Sequence, residues 1–143
     1  MASADLAALR GAHDRAAKAA RARLERLGCA AANYRLSGEG VEHICSVKLR
    51  DNWRMLVFFP AEHEVAILLV GPHDRENHTA DVYTRLYEML KIDVPDGEHR
   101  RPPCCADGQP PVEAGLLDFV MDRTRELARG GQRRRTRRRH PAF

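Results

Sequence analysis

At 143 residues, with 43% apolar and 31% charged side chains, the chain is sized for one domain with a real core and is too short for two ordinary ones. No apolar run reaches the length of a membrane span and no export signal opens the chain, so a soluble, cytoplasmic protein with reduced thiols is expected. The net charge of +4 is uneven: removing the six arginines Arg133, Arg134, Arg135, Arg137, Arg138 and Arg139 leaves −2, so the basicity belongs largely to the tail.

Residues 4–28 read as helix. Leu6, Leu9, Ala16, Ala20, Leu24 and Leu27 recur at three- and four-residue spacing in an alanine-rich background. Ser3 is the candidate N-cap, Gly28 the stop, and Gly11 a point where the segment can split. The outer face is rich in arginine and lysine, either as a solvated surface or as a rim for RNA or a partner. Residues 29–40 read as a linker ending in Ser37-Gly38-Glu39-Gly40. These glycines precede a strand instead of opening a helix, so they do not form a dinucleotide loop.

Three apolar runs follow, at 41–49, 53–59 and 65–70. In the first, Val41, Cys45, Val47 and Leu49 alternate with Glu42, Ile44, Ser46, Lys48 and Arg50. In the second, Trp53, Met55, Val57 and Phe59 alternate with Arg54, Leu56 and Phe58. A two-residue turn would pair Leu49 with Arg54 and split the apolar set. A three-residue loop, Arg50-Asp51-Asn52, pairs Leu49 with Trp53 and keeps the apolar set on one face. It also makes Lys48 and Arg54 direct neighbours, and two adjacent cations invite an anion such as phosphate. The loop 60–64 leads to the third run, apolar on both faces. Gly71-Pro72 ends it, and the polar loop from His73 to His78 then emerges near Lys48 and Arg54.

A helix is expected over 79–90, capped by Thr79 or Asn77, with Val82, Leu86, Met89 and Leu90 as its stripe and Tyr83 and Tyr87 at the border. Composition then shifts to Pro, Gly, Cys and charge over 93–111, a linker. Residues 112–129 read as an amphipathic helix that packs on the domain or holds a partner, a second copy included. The arginine tail is expected to be disordered when free. The organisation is therefore a domain over 1–91 and an appended region over 92–143. Cys104–Cys105 with His99, and the pair His73/His78, are the sets nearest to a zinc site. Neither has the usual ligand spacing, and no metal or cofactor is assigned.

The ordered set 45–50, 53–57, 65–71 and Val82-Tyr83 resembles the RelE/ParE superfamily, bacterial toxins of type II toxin–antitoxin systems. The likeness runs from about Leu36 to Leu90. It implies an α+β fold, with N-terminal helices packed on a small antiparallel sheet, to which this chain adds a C-terminal helical extension. It implies metal-independent cleavage of messenger RNA on the ribosome, with the ribose 2′-hydroxyl attacking the adjacent phosphorus, and neutralisation by a cognate antitoxin. Carried over by position, Lys48 and Arg54 match the strand cations, His73 stands at or near a second arginine, and Tyr83 matches the C-terminal tyrosine. Arg50, Arg75 and the six tail arginines are the remaining candidates for RNA contact. Ser46 stands where some members carry lysine, and no strand is evident before the helices.

The residues fit that chemistry. Cations suit the phosphorane charge, and arginine matches phosphate bidentately. Histidine is suited near neutrality to giving or taking a proton. Tyrosine can stack on a base or share a proton. The rival readings are a ParE-like gyrase inhibitor without catalysis, and a non-toxic relative that binds nucleic acid through its tail.

Overall fold

The computed structural model describes residues 2–38, 40–95, 102, 103 and 122. The expected helix over 112–129 (residue 122 apart), the arginine tail and the Cys104–Cys105 pair lie outside the described residues. The order of elements is α1 (Ala2–Ala8), α2 (Gly11–Leu27), a 3-10 turn (Gly28–Ala31), β1 (Tyr34–Arg35), β2 (Cys45–Lys48), β3 (Trp53–Ala61), β4 (Glu64–Pro72) and α3 (Val82–Leu90). The strands form one antiparallel meander in the order β1-β2-β3-β4. The fold is thus α+β, a small antiparallel sheet with helices. Among the described residues, no helix is long and apolar enough to cross a membrane.

The helical segment does split at Gly11, whose φ of 58° only glycine adopts easily. α1 begins at Ala2, ahead of the expected cap position at residue 3. Leu9, Ala17, Ala20 and Leu24 pack on Cys45, Val47, Met55, Val57 and Phe59. Alanines at two of these helix positions let the backbone of α2 approach the sheet closely.

The opposite face is not the solvated surface that alternation suggests. Leu56 and Phe58 are buried there against Val82, Leu86 and Leu90 of α3 and against Leu36, Val41 and Ile44. This explains why residues 41–44 are a turn and not the start of β2. Val41 and Ile44 are both buried on this one side, three residues apart, and the Ile44 N–H donates to the Val41 carbonyl at 2.9 Å. Strict alternation would have sent them to opposite faces. A bulge does the same for β4: Leu56 pairs with Leu69 but Val57 with Ile67, so Leu68 is the extra residue and shares a face with Leu69.

The β2–β3 register is the one that burial demands. Lys48 pairs with Arg54, and the Leu49 N–H donates to the Trp53 carbonyl at 3.0 Å across a turn that puts Asp51 at φ 56°. The second hairpin is tighter than the expected loop over 60–64. β3 runs on to Ala61, which pairs with Glu64 around a two-residue turn. Pro60 sits where the pairing is irregular, the place in a sheet that tolerates a residue without an N–H.

Gly28 ends α2 as its position suggests, at φ 71° and ψ −162°, a region open essentially only to glycine. A Cβ there would stand 2.9 Å from the Glu62 carbonyl oxygen. Gly28→Ala is expected to cost about 1–3 kcal/mol, read as a lower urea midpoint at unchanged slope. Close by, Cys29 is disulfide-bonded, whereas Cys45 is buried in the core and takes no part in a disulfide. The expectation of reduced thiols throughout is corrected: it rested on compartment, whereas pairing follows from which sulfurs the fold brings together.

Candidate functional site

Lys48 and Arg54 face each other at the end of the β2–β3 ladder. The Lys48 N–H donates to Asn33 Oδ1 at 2.7 Å, away from β3, while Leu49 bonds Trp53. Lys48 and Arg54 are therefore a non-hydrogen-bonded pair, the type whose side chains stand closer together. Among the described residues, neither has a carboxylate partner. Arg54 donates from Nη1 to the Trp53 carbonyl at 2.9 Å, and its Nε is buried with no partner among the described residues.

His73 leaves the end of β4 and is pinned at once. Its N–H donates to the Asn52 carbonyl at 2.8 Å, which ties the strand end to the β2–β3 turn. Its Nδ1 lies 2.9 Å from Asp81 Oδ1. Asp81, not Thr79 or Asn77, caps α3, because residues 77–81 close a turn on the Asn77 carbonyl and the helix opens only at Val82. The capping carboxylate is fully occupied. Oδ1 accepts from His73 and the Asp74 N–H at 2.9 Å, and Oδ2 accepts from the Thr84 N–H at 2.9 Å and its hydroxyl at 3.0 Å. Burial alone would raise the Asp81 pKa, but these donors, His73 foremost, hold it below the usual carboxylate range. An ionised carboxylate only accepts, so Nδ1 of His73 carries its hydrogen and Nε2 is the nitrogen left for chemistry.

Tyr83, in the first turn of α3, meets the ring of His73 edge-on at 4.8 Å. Its hydroxyl lies 2.7 Å from Ser46 Oγ and 2.5 Å from the Tyr34 hydroxyl. Tyr34 is brought there by β1, which pairs it directly with Ser46.

Tyr34, Lys48, Arg54, His73, Asp81 and Tyr83 line one cleft of about 580 Å³ between the sheet end, α3 and the loop after β4. The structure thus gathers Lys48, Arg54, His73 and Tyr83 around one space, and Arg75 lines it too. Arg50 is exposed at the hairpin tip beside Asp51, 3.7 Å away, and is not part of the cleft wall. The tail arginines lie outside the described residues. Trp53 belongs to the other face, where it packs at the core edge and its ring lies 4.7 Å from that of His13.

Sequence reasoning missed Asp81, Tyr34 and the use of Ser46. Asp81 carried a usable signal, an aspartate with a threonine three positions on just before an apolar stripe. Ser46 shares the face of Lys48 by parity. Tyr34 carried none, since a two-residue strand has no period. Among the described residues, no three His, Cys, Asp or Glu side chains gather as a metal ion would require. No family model, curated protein or solved structure matches the chain.

Proposed function

We propose that this protein is an endoribonuclease of the RelE/ParE toxin type, cutting messenger RNA on the ribosome and held in check by a cognate antitoxin. One observation carries the reading: two cations without a carboxylate partner among the described residues, and a histidine with one nitrogen committed to a buried carboxylate, face the same cleft. That is the minimum set for transesterification of a phosphodiester. Nε2 of His73 takes the 2′-hydroxyl proton as the 2′-oxygen bonds to phosphorus. Arg54 and Lys48 offset the charge that develops on the non-bridging oxygens. The bond from phosphorus to the 5′-oxygen then breaks, and a proton must reach that oxygen. Asp81 holds the imidazole in orientation. The sequence resemblance supplies the ribosome-bound messenger as substrate, and this chemistry routes no step through a metal.

The test is the product. Induced expression is expected to arrest growth and to shorten ribosome-bound messages, leaving 2′,3′-cyclic phosphate and 5′-hydroxyl ends. Growth arrest with intact messages and a DNA-damage response would reject the reading in favour of gyrase inhibition.

A further inference from the structure

Three hydroxyls meet beside the cleft, and their order matters. Ser46 is wholly buried behind it, Tyr83 lines it while packing against the core under α3, and Tyr34 lines it from β1. Burial pushes the Tyr83 phenol well above the ordinary tyrosine value, and its contact with Tyr34 pushes it further. Tyr83 therefore keeps its hydrogen, and it is poorly suited to giving up a proton. Tyr34 is the reverse. Burial alone would raise its pKa, but contacts with Tyr83, Ser46 and the Arg54 guanidinium hold it below the ordinary value. The two contacts allow a chain of donors from Ser46 to Tyr83 to Tyr34, and in that arrangement the Tyr34 hydrogen is left for whatever occupies the cleft.

We propose that Tyr34 is the general acid of this site, giving its phenolic proton to the leaving 5′-oxygen while Tyr83, backed by Ser46, donates to the phenolate oxygen left behind. The assignment rests on the ribonuclease reading above and moves the acid from the tyrosine on α3 to one on β1. The step balances. The 2′-oxygen gains a bond to phosphorus and loses its hydrogen to His73 Nε2. The 5′-oxygen loses its bond to phosphorus and gains the hydrogen of Tyr34. Imidazolium and phenolate are then reset by one proton passing through solvent. Arg54 acts twice, on the phosphorus oxygens and on the phenolate.

Two measurements test this. The chain has three tyrosines, Tyr34, Tyr83 and Tyr87, and burial raises the last. Ultraviolet titration should therefore show one phenol ionising below about 10 and two above it, and Tyr34→Phe should remove the low one. In cleavage, Tyr34→Phe is expected to slow an ordinary messenger about 10²-fold. It should stay within a few-fold of wild type on a messenger with sulfur replacing the scissile 5′-oxygen, since a thiolate departs without a proton. Fluorotyrosine at position 34 keeps the ring in place and should move the alkaline limb of the pH–rate profile to lower pH. Equal losses on both substrates, a low-ionising phenol that survives Tyr34→Phe, or an unmoved alkaline limb overturns the role of Tyr34 alone. A wild-type chain that cuts neither messenger overturns the ribonuclease reading together with it.

Discussion

His73→Ala is expected to lower messenger cleavage about 10³-fold and Arg54→Ala about 10²–10³-fold, measured as kcat on ribosome-bound RNA and read in cells as relief of growth arrest. The reasons differ. His73 has one nitrogen fixed by Asp81, so removing the ring removes a base whose orientation is already set. In the proposed reaction Arg54 meets the phosphorus oxygens only as charge builds, so its loss should fall on kcat more than on KM. Arg54→Lys should recover little, because a point charge cannot reproduce a planar fork whose Nη1 is already anchored on the Trp53 carbonyl. Arg54→Ala has a second signature: without the guanidinium, Tyr34 should ionise at higher pH. Activity within tenfold of wild type in both alanine variants would leave the cleft without the reaction assigned to it.

The cation pair was legible because it follows from burial, not from any motif. Only one register of 45–49 against 53–57 keeps Val47, Leu49, Trp53 and Met55 together, and that register sets Lys48 opposite Arg54. His73 does emerge beside the pair, but not by unbroken parity: with the bulge in β4, Arg54 pairs with Gly71 and Trp53 with Pro72, so His73 follows directly. What could not be read was the second buried face. Alternation puts Leu56 and Phe58 on the face of Arg54 and does not say what covers them; α3 does, and the same helix delivers Tyr83 and Asp81 to the site. Contacts of that kind join residues 34, 46 and 83, far apart in the chain, and leave no periodic trace. Leu68 makes the same point locally. A bulge turns two consecutive leucines to one side, which the period-two reading of β4 has no means to anticipate.

Asp81→Asn joins stability to function and is expected to cost about 1–3 kcal/mol of folding free energy at neutral pH. Asparagine still caps a helix well, so its oxygen can keep the Thr84 N–H and hydroxyl. Its amide nitrogen then occupies the position of Oδ1, where it meets two donors, the Asp74 N–H and His73 Nδ1. The histidine can relieve half of this by changing tautomer, which puts the hydrogen on Nε2 and removes the base. The Asp74 N–H is left without its acceptor. Cleavage should therefore fall by more than the folded fraction does. The pH dependence fixes the cause. The folded-state pKa of Asp81 is depressed, so its contribution is fully present above the unfolded value near 3.8 and is lost as pH falls through the lower folded value. Urea unfolding of wild type and Asp81→Asn should accordingly differ by a constant amount from neutrality down to about pH 4, and the gap should narrow below that. A gap that stays constant into stronger acid would mean that the carboxylate charge does not hold α3 and His73 together.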